Sequence, residues 1–270
     1  MTRYASMFDR CPNGVFGAFL MLGDPGIAEC EAYLDALVEG GADMVELGIP
    51  FSDSVADGPV IQAAAVRALK AGARTGDCLG MIARFRSRHQ DIPVGILTYA
   101  NIVNARGIEQ FASDCADARI DSLLVADVPS LEAEPYANAA KAAGIDLVMI
   151  AAPNTPAETI ARIAQLSSGY TYCVARAGVT GADRRLQLDH SGLFAALKKD
   201  GAAPPILGFG ISNPDQVAEA IAHGAAGVIS GSAIVQRIAN GASPAEVAAF
   251  VRELKGATEV QRLDFASVAL

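Results

Sequence analysis

Eight times along this chain a short apolar run of strand length gives way to a segment of helical periodicity. That alternation restricts the fold more than any other feature. The strand-like runs fall at 15–22, 44–49, 94–99, 122–125, 147–150, 170–174, 206–208 and 227–229. Helical periodicity follows at 27–39, 59–71, 107–118, 131–143, 156–166, 193–199, 214–223 and 244–254, with a further helical run at 78–89 inserted before the third strand. Strictly alternating β and α units imply a parallel sheet. Eight units in about 250 residues imply that the sheet closes into a (β/α)8 TIM barrel. A doubly wound open sheet is the rival, weakened because no Gly-x-Gly-x-x-Gly follows the first strand. No linker, heptad or low-complexity tract divides the chain, so one α/β barrel domain with extra helices is expected over residues 1–270. A short segment around 3–10 precedes the first strand. The tail at 257–270 carries no clear barrel element and is expected to be poorly ordered.

The second strand and the turn after it, residues 43–59, concentrate the candidate chemistry. By strand alternation Met44, Glu46 and Gly48 share one face, while Val45, Leu47 and Ile49 share the other. A strand apolar on both sides belongs to a buried parallel sheet. Glu46 therefore sits where an ionised carboxylate is costly unless it is paired or its pKa is raised. Pro50 ends the strand, a polar turn follows, and Gly58-Pro59 opens the next helix. Asp57 stands on that turn. An acid at the C-terminal end of a strand, with a second on the loop after it, is an arrangement barrel enzymes use for catalysis. Plainer readings make Asp57 a helix N-cap before Pro59 and Asp53 a cap or turn closure. Glu46 resists such a reading, because a solvated role does not suit its strand.

Two glycine-rich turns follow the last two strands, Gly208-Phe209-Gly210-Ile211-Ser212 and Ser230-Gly231-Ser232-Ala233. Barrel enzymes frequently hold a phosphate between these two loops, at the N-terminus of a short extra helix. Glycine lets backbone N–H groups approach the anion, and the helix dipole favours its charge. Residues 232–235 are the expected short helix, with Ser232 donating at its mouth. Either turn alone would read as an ordinary glycine turn. The long polar stretch 176–190 follows the sixth strand, and its segment 176–183 reads equally as a lid over the barrel mouth or as a plain surface loop.

Composition excludes several classes of function. The net charge is −9 without a basic stripe carrying interleaved aromatics, which disfavours nucleic-acid binding. No run of 18 or more apolar residues is present, so no transmembrane helix is expected, and no signal peptide is expected at the N-terminus. Cys11, Cys30, Cys78, Cys115 and Cys173 are scattered and odd in number, with no Cys-x-x-Cys pair. That is the pattern of reduced thiols in a cytoplasmic protein rather than of a disulfide frame or zinc site. His89, His190 and His223 lie far apart and read as surface or core residues.

With these segments assembled, the chain resembles the tryptophan synthase α-subunit family over roughly residues 3–254. The matching stretches are residues 22–26, Glu46 to Asp53 with Ala56 to Pro59, Tyr99-Ala100-Asn101, Val125 to Pro129, Arg176 to Gly181, Gly208 to Ser212 and Ser230 to Val235. Any one is weak; seven in the same order are specific. The resemblance implies a lyase that cleaves indole-3-glycerol phosphate into indole and glyceraldehyde 3-phosphate in tryptophan biosynthesis. It also implies an α2β2 allosteric complex, with a pyridoxal-phosphate β subunit that receives the indole and no cofactor or metal in this chain. Carried over residue by residue, Glu46 would be the general acid toward indole C3 and would help take the glycerol hydroxyl proton. Asp57 would accept the indole N–H and stabilise the cation formed, and Tyr172 would line the site beside Glu46. Such chemistry needs one acid near neutral pKa and one ionised carboxylate. Thr180 would reach Asp57 on closure. Gly181, Gly210, Gly231 and Ser232 would hold the phosphate. Phe19, Leu97, Tyr99, Ala126, Ile150 and Phe209 would form the apolar slot for a flat indole.

Three departures from the family pattern read as tuning. Ser54 replaces a proline on the loop that would face the β subunit, Met21 stands where threonine is common, and Ala175 replaces a serine. The rival functions are a stand-alone lyase releasing free indole, a non-catalytic regulatory subunit, and another phosphosugar isomerase or aldolase. The last lacks a Schiff-base candidate, since Lys70, Lys141, Lys198, Lys199 and Lys255 fall on predicted helices.

Overall fold

The computed structural model describes residues 1–174, 190–208 and 210–259. Nine parallel strands alternate with helices in one sheet of order β5-β4-β3-β2-β1-β9-β8-β7-β6. The strands are β1 Val15–Met21, β2 Met44–Gly48, β3 Val94–Thr98, β4 Ser122–Val125, β5 Asp146–Leu147, β6 Ile150–Ala151, β7 Thr171–Cys173, β8 Pro205–Leu207 and β9 Gly227–Ser230. The ring closes through the chain itself. β5 pairs with β4 and β6 with β7, and between them Val148 N–H donates to Leu123 O at 2.9 Å while Met149 O accepts from Tyr172 N–H at 3.0 Å. The single strand expected at 147–150 is thus two short pieces. Its ladder passes from one neighbour to the other within a few residues, too abruptly for one continuous strand. The architecture is the expected (β/α)8 barrel.

Side-chain alternation divides the apolar residues into two layers. Phe16, Ala18, Leu20, Val45, Leu47, Ile96, Leu123, Cys173, Leu207 and Val228 face outward under the helices. Val15, Phe19, Met21, Met44, Leu124, Val148, Tyr170, Tyr172, Ile206 and Ile229 fill the ring. The opening segment is helix α1, Arg3–Arg10, and it stoppers the ring at the strands' N-terminal end. Its Tyr4 Oη lies 2.7 Å from Ser122 Oγ, and its ring sits 5.4 Å from that of Tyr170.

The outer helices are α2 Ile27–Glu39, α3 Pro59–Lys70, α4 Thr75–Arg88, α5 Ala100–Arg106, α6 Ile108–Asp117, α7 Glu134–Ala143, α8 Ala157–Leu166, α9 Ser191–Lys199, α10 Pro214–Ala222, α11 Ser232–Ala239 and α12 Pro244–Gly256. Proline stands in the first turn of α3, α10 and α12, where its missing N–H costs nothing. Helix α12 also has a reciprocal Ser243–Glu246 capping box. Helix α5 was not expected from periodicity, since seven residues between Tyr99 and Gly107 are too few to show one. The inserted run is α4, and its Arg86, 1% exposed, donates to the carbonyls of Arg119, His89 and Ile92 and to Asp121 Oδ2 at 2.7 Å. Beyond α12, residues 257–259 form one 3-10 turn; the rest of the expected tail, 260–270, lies outside the described residues.

Candidate active site

Glu46 is the middle residue of β2 and faces into the ring, opposite Phe19 on β1 and Gly95 on β3 in the strand register. It is 1% exposed. Its Oε1 accepts a hydrogen bond from Tyr170 Oη at 2.7 Å; its buried Oε2 has no partner among the described residues. Burial pushes this carboxyl up from 4.5 to about 7, the Tyr170 hydroxyl opposes the rise, and the negative charge of Asp57 adds to it. Asp57 thus acts on Glu46 across the site, after burial and the Tyr170 hydrogen bond.

Asp57 stands on the turn after β2, at the C-terminal end of the ring. Gly58, not Asp57, is the N-cap of α3, so the capping role is excluded: the chain is already extended at Gly58, and Asp57 lies one residue too early. Burial raises its carboxyl from 3.8 to about 6, against the Tyr99 and Ser54 hydroxyls, which favour the charged form. Asp53, in contrast, is exposed and bonded by its neighbour Ser52.

Tyr172 lies on β7 facing inward, and its hydroxyl donates to Gly208 O at 2.6 Å. Burial, and after it the charges of Glu46 and Asp57, push its pKa well above the usual tyrosine value, so it is neutral beside them. Gly208 is required by that packing, because a Cβ there would lie 2.0 Å from Tyr172 Cζ. The donor to Glu46 is Tyr170, which sequence reading did not single out; it stands two residues before Tyr172 and shares its face, and that spacing was the available signal. Ser54 was read as tuning of the loop that would face the β subunit; in the structure it is buried within that loop, 4% exposed.

The inner-face apolar candidates surround these acids. Phe19 and Tyr99 are buried, while Leu97, Ala126 and Ile150 are only partly covered. Partial exposure of apolar side chains along the inner wall is what an open slot for a flat apolar group requires. Phe51 stacks on Tyr99 with ring centroids 5.4 Å apart. Gly48 leaves room in this wall: a Cβ there would approach Phe19 Cζ to 2.8 Å and Met21 Cε to 3.1 Å.

The two glycine turns are also neighbours. Ser230 Oγ, at the end of β9, donates to Ile211 O at 2.8 Å and ties them together. Gly210 has φ +77°, a conformation costly for other residues. Gly231 is the N-cap of α11, which is longer than the expected 232–235, and Ser232 begins the helix. Its free N–H groups and dipole suit an anion without a basic side chain. Thr180, Gly181, Phe209 and Ala175, with the whole 176–183 segment read as a lid or a plain surface loop, lie outside the described residues.

A cleft of about 1080 Å³ opens at the other end of the ring and is lined by Arg3, Arg119, Asp121, Lys141 and Asp146, among others. The C-termini of α6, α7 and α8 lead into it, so its cations answer the helix dipoles. It contains neither of the paired acids. Among the described residues no three His, Cys, Asp or Glu side chains form a candidate metal cage, and no helix is long and apolar enough to cross a membrane.

Comparison with known proteins gives one consistent result. The family model described as tryptophan synthase alpha chain matches residues 10–262. A tryptophan synthase alpha chain from Shewanella amazonensis is 53% identical over 241 residues, 88% of this chain and 91% of that one. Among solved structures, a Mycobacterium tuberculosis tryptophan synthase chain superposes with a TM-score of 0.87 at 30% identity, covering 96% of this chain and 99% of that one. A chain of the tryptophan synthase complex from Pyrococcus furiosus gives 0.81 at 33% identity, covering 90% and 98%.

Proposed function

The chain belongs to the tryptophan synthase alpha chain family, and from that premise we propose that it is a carbon–carbon lyase cleaving indole-3-glycerol phosphate to indole and glyceraldehyde 3-phosphate. The observation that carries this reading is the pairing of a buried acid raised to about 7 with a second carboxylate at about 6. Near neutral pH one form of the pair has Glu46 protonated and Asp57 ionised, the state the reaction needs.

In this reading Glu46 delivers its proton to indole C3, and the ring nitrogen becomes cationic with its N–H held by the Asp57 carboxylate. The bond from C3 to the glycerol carbon then breaks. Its electrons return to the ring and restore indole, while the hydroxyl on the departing carbon loses its proton to the Glu46 carboxylate and becomes the aldehyde. Glu46 ends as it began, protonated. Asp57 does not move a proton; it stabilises charge that exists only during the reaction, the economical use of binding energy. Phe19, Leu97, Tyr99, Ala126 and Ile150 hold the flat ring, and Tyr172 closes its wall beside Glu46. Gly210, Gly231 and Ser232 seat the phosphate; the family resemblance gives Gly181 the same role, Thr180 a contact with Asp57 and Phe209 a place in the apolar slot.

We also assign a β-subunit partner in an α2β2 assembly, with pyridoxal phosphate belonging to that partner, and a cytoplasmic location. Exposed Val55 and Leu131, on the loops after β2 and β4, support a partner at the mouth of the ring. The test is release of indole from indole-3-glycerol phosphate by the purified chain, with and without an added β subunit. Wild type is expected to release indole, faster with the partner. Glu46→Gln is expected to lose about a thousandfold or more, as for removal of a general acid, while still binding a substrate analogue. Wild-type turnover in that variant would reject the assignment.

A further inference from the structure

The strands contribute their inward residues to the ring in layers, and the register fixes which residues share a layer. Phe19, Glu46 and Gly95 share one; Met21, Gly48 and Leu97 share the next, one step nearer the mouth. Gly48 brings no side chain to that upper layer, so a gap stands beside Leu97 on the mouth side of Glu46. The gap is filled from β1. A Cβ at Gly48 would lie 2.8 Å from Phe19 Cζ, 3.1 Å from Met21 Cε and 3.2 Å from Met21 Sδ. The tips of those two side chains therefore occupy the space that a side chain at this position would take. The root of Phe19 lies against the phosphate turn, since a Cβ at Gly231 would meet Phe19 Cβ at 3.3 Å and Cδ1 at 3.4 Å. Phe19 is thus held at both ends. Met21, 2% exposed, ends in an unbranched thioether of the kind that fills irregular gaps, and its tip is what closes the remaining space.

We propose that Met21 is a specificity-determining residue, its thioether tip laid over Gly48 so as to close the slot against a substituent at C2 of the indole ring. The inference rests on the reaction assigned above and deepens it. That reaction puts indole C3 at Glu46 and the indole N–H at Asp57. Gly48 lies between those two acids along the chain, and C2 lies between C3 and the nitrogen in the ring. The edge of the ring that carries C2 therefore runs past Gly48, against the Met21 tip. A hydrogen at C2 fits there. A methyl group needs the volume that Met21 Sδ and Cε hold, and a close-packed wall resists giving it up.

The experiment measures kcat/KM for indole-3-glycerol phosphate and for its 2-methyl and 5-methyl derivatives, in wild type, Met21→Ala and Met21→Val. Valine removes the tip with the smaller loss of core, so it serves if the alanine variant does not fold. The quantity read is the kcat/KM of each derivative relative to that of the parent compound in the same protein. Any effect of the methyl group on the reactivity of the ring is common to the three proteins and cancels. Both variants are expected to raise the 2-methyl ratio about tenfold or more, the worth of one methyl group in a tight pocket. The 5-methyl ratio should stay within about twofold, because that group points away from Gly48.

An unchanged 2-methyl ratio would overturn the proposal and leave Met21 as core packing alone. Equal rises in both ratios would also overturn it, since they mean a general loosening of the slot. If wild type cleaves no indole-3-glycerol phosphate, the functional reading fails by itself. Calorimetry with uncleavable indole-3-propanol phosphate and its 2-methyl derivative then reads the same exclusion. A gain of about tenfold for the 2-methyl compound in Met21→Val supports it, and an unchanged affinity ratio overturns it.

Discussion

Tyr170, just before β7, and Glu46 on β2 lie 124 positions apart and meet across the ring. Their bond is the largest influence holding the Glu46 carboxyl down against burial. Tyr170→Phe should therefore raise it further and move the alkaline limb of kcat/KM to higher pH, by about half a unit to one unit. The acid limb, set by Asp57, should stay in place. A pH–rate profile that loses activity uniformly would instead assign Tyr170 to packing. Glu46 itself was legible in the sequence, because a carboxylate on a strand apolar on both faces needs special surroundings. Its partner was not. Alternation says which residues face inward, but several tyrosines satisfy that rule, and only closure of the ring selects the one within 2.7 Å.

Among the elements, the strands and most helices followed from periodicity with boundaries shifted by a few residues. The exceptions are α1, which was read only as a short segment, α5, too short to show a period, and the β5–β6 break, where hydrogen bonding changes neighbours. Helix α4 was legible as an insertion, but its purpose was not. Arg86 on α4 binds the turn before β3 and the Asp121 carboxylate before β4, linking two units at the closed end of the ring. Arg3 of α1 reaches the same carboxylate at 2.8 Å. Arg86→Leu leaves several carbonyls and a partly buried carboxylate short of a donor, and should cost about 3–5 kcal/mol. Urea unfolding at pH 7 checks this; a loss below about 1 kcal/mol, the worth of a surface pair, would show that the network contributes little.

In the molecule as a whole, the paired acids make stability depend on pH. Both carboxyls are raised in the folded state, so their contribution is fully present below their ordinary values of 4.5 and 3.8 and is lost as pH rises through about 7 and about 6. Glu46→Gln removes the larger part of that loss. Relative to wild type it should gain stability steadily between pH 5 and pH 8, to at most about 3 kcal/mol. Urea unfolding of both proteins across that range is the measurement, and a constant difference would mean that Glu46 does not carry the raised proton affinity. The order of the chain was enough to determine a parallel ring, the face on which Glu46 lies, the turn that carries Asp57 and the two glycine loops, because each depends on neighbours within one β/α unit. The partner Tyr170, the division of the fifth strand and the fastening of the closed end depend on contacts between different units. Those are settled only when the ring closes and brings side chains from different units, such as Tyr170 and Glu46, within hydrogen-bonding distance.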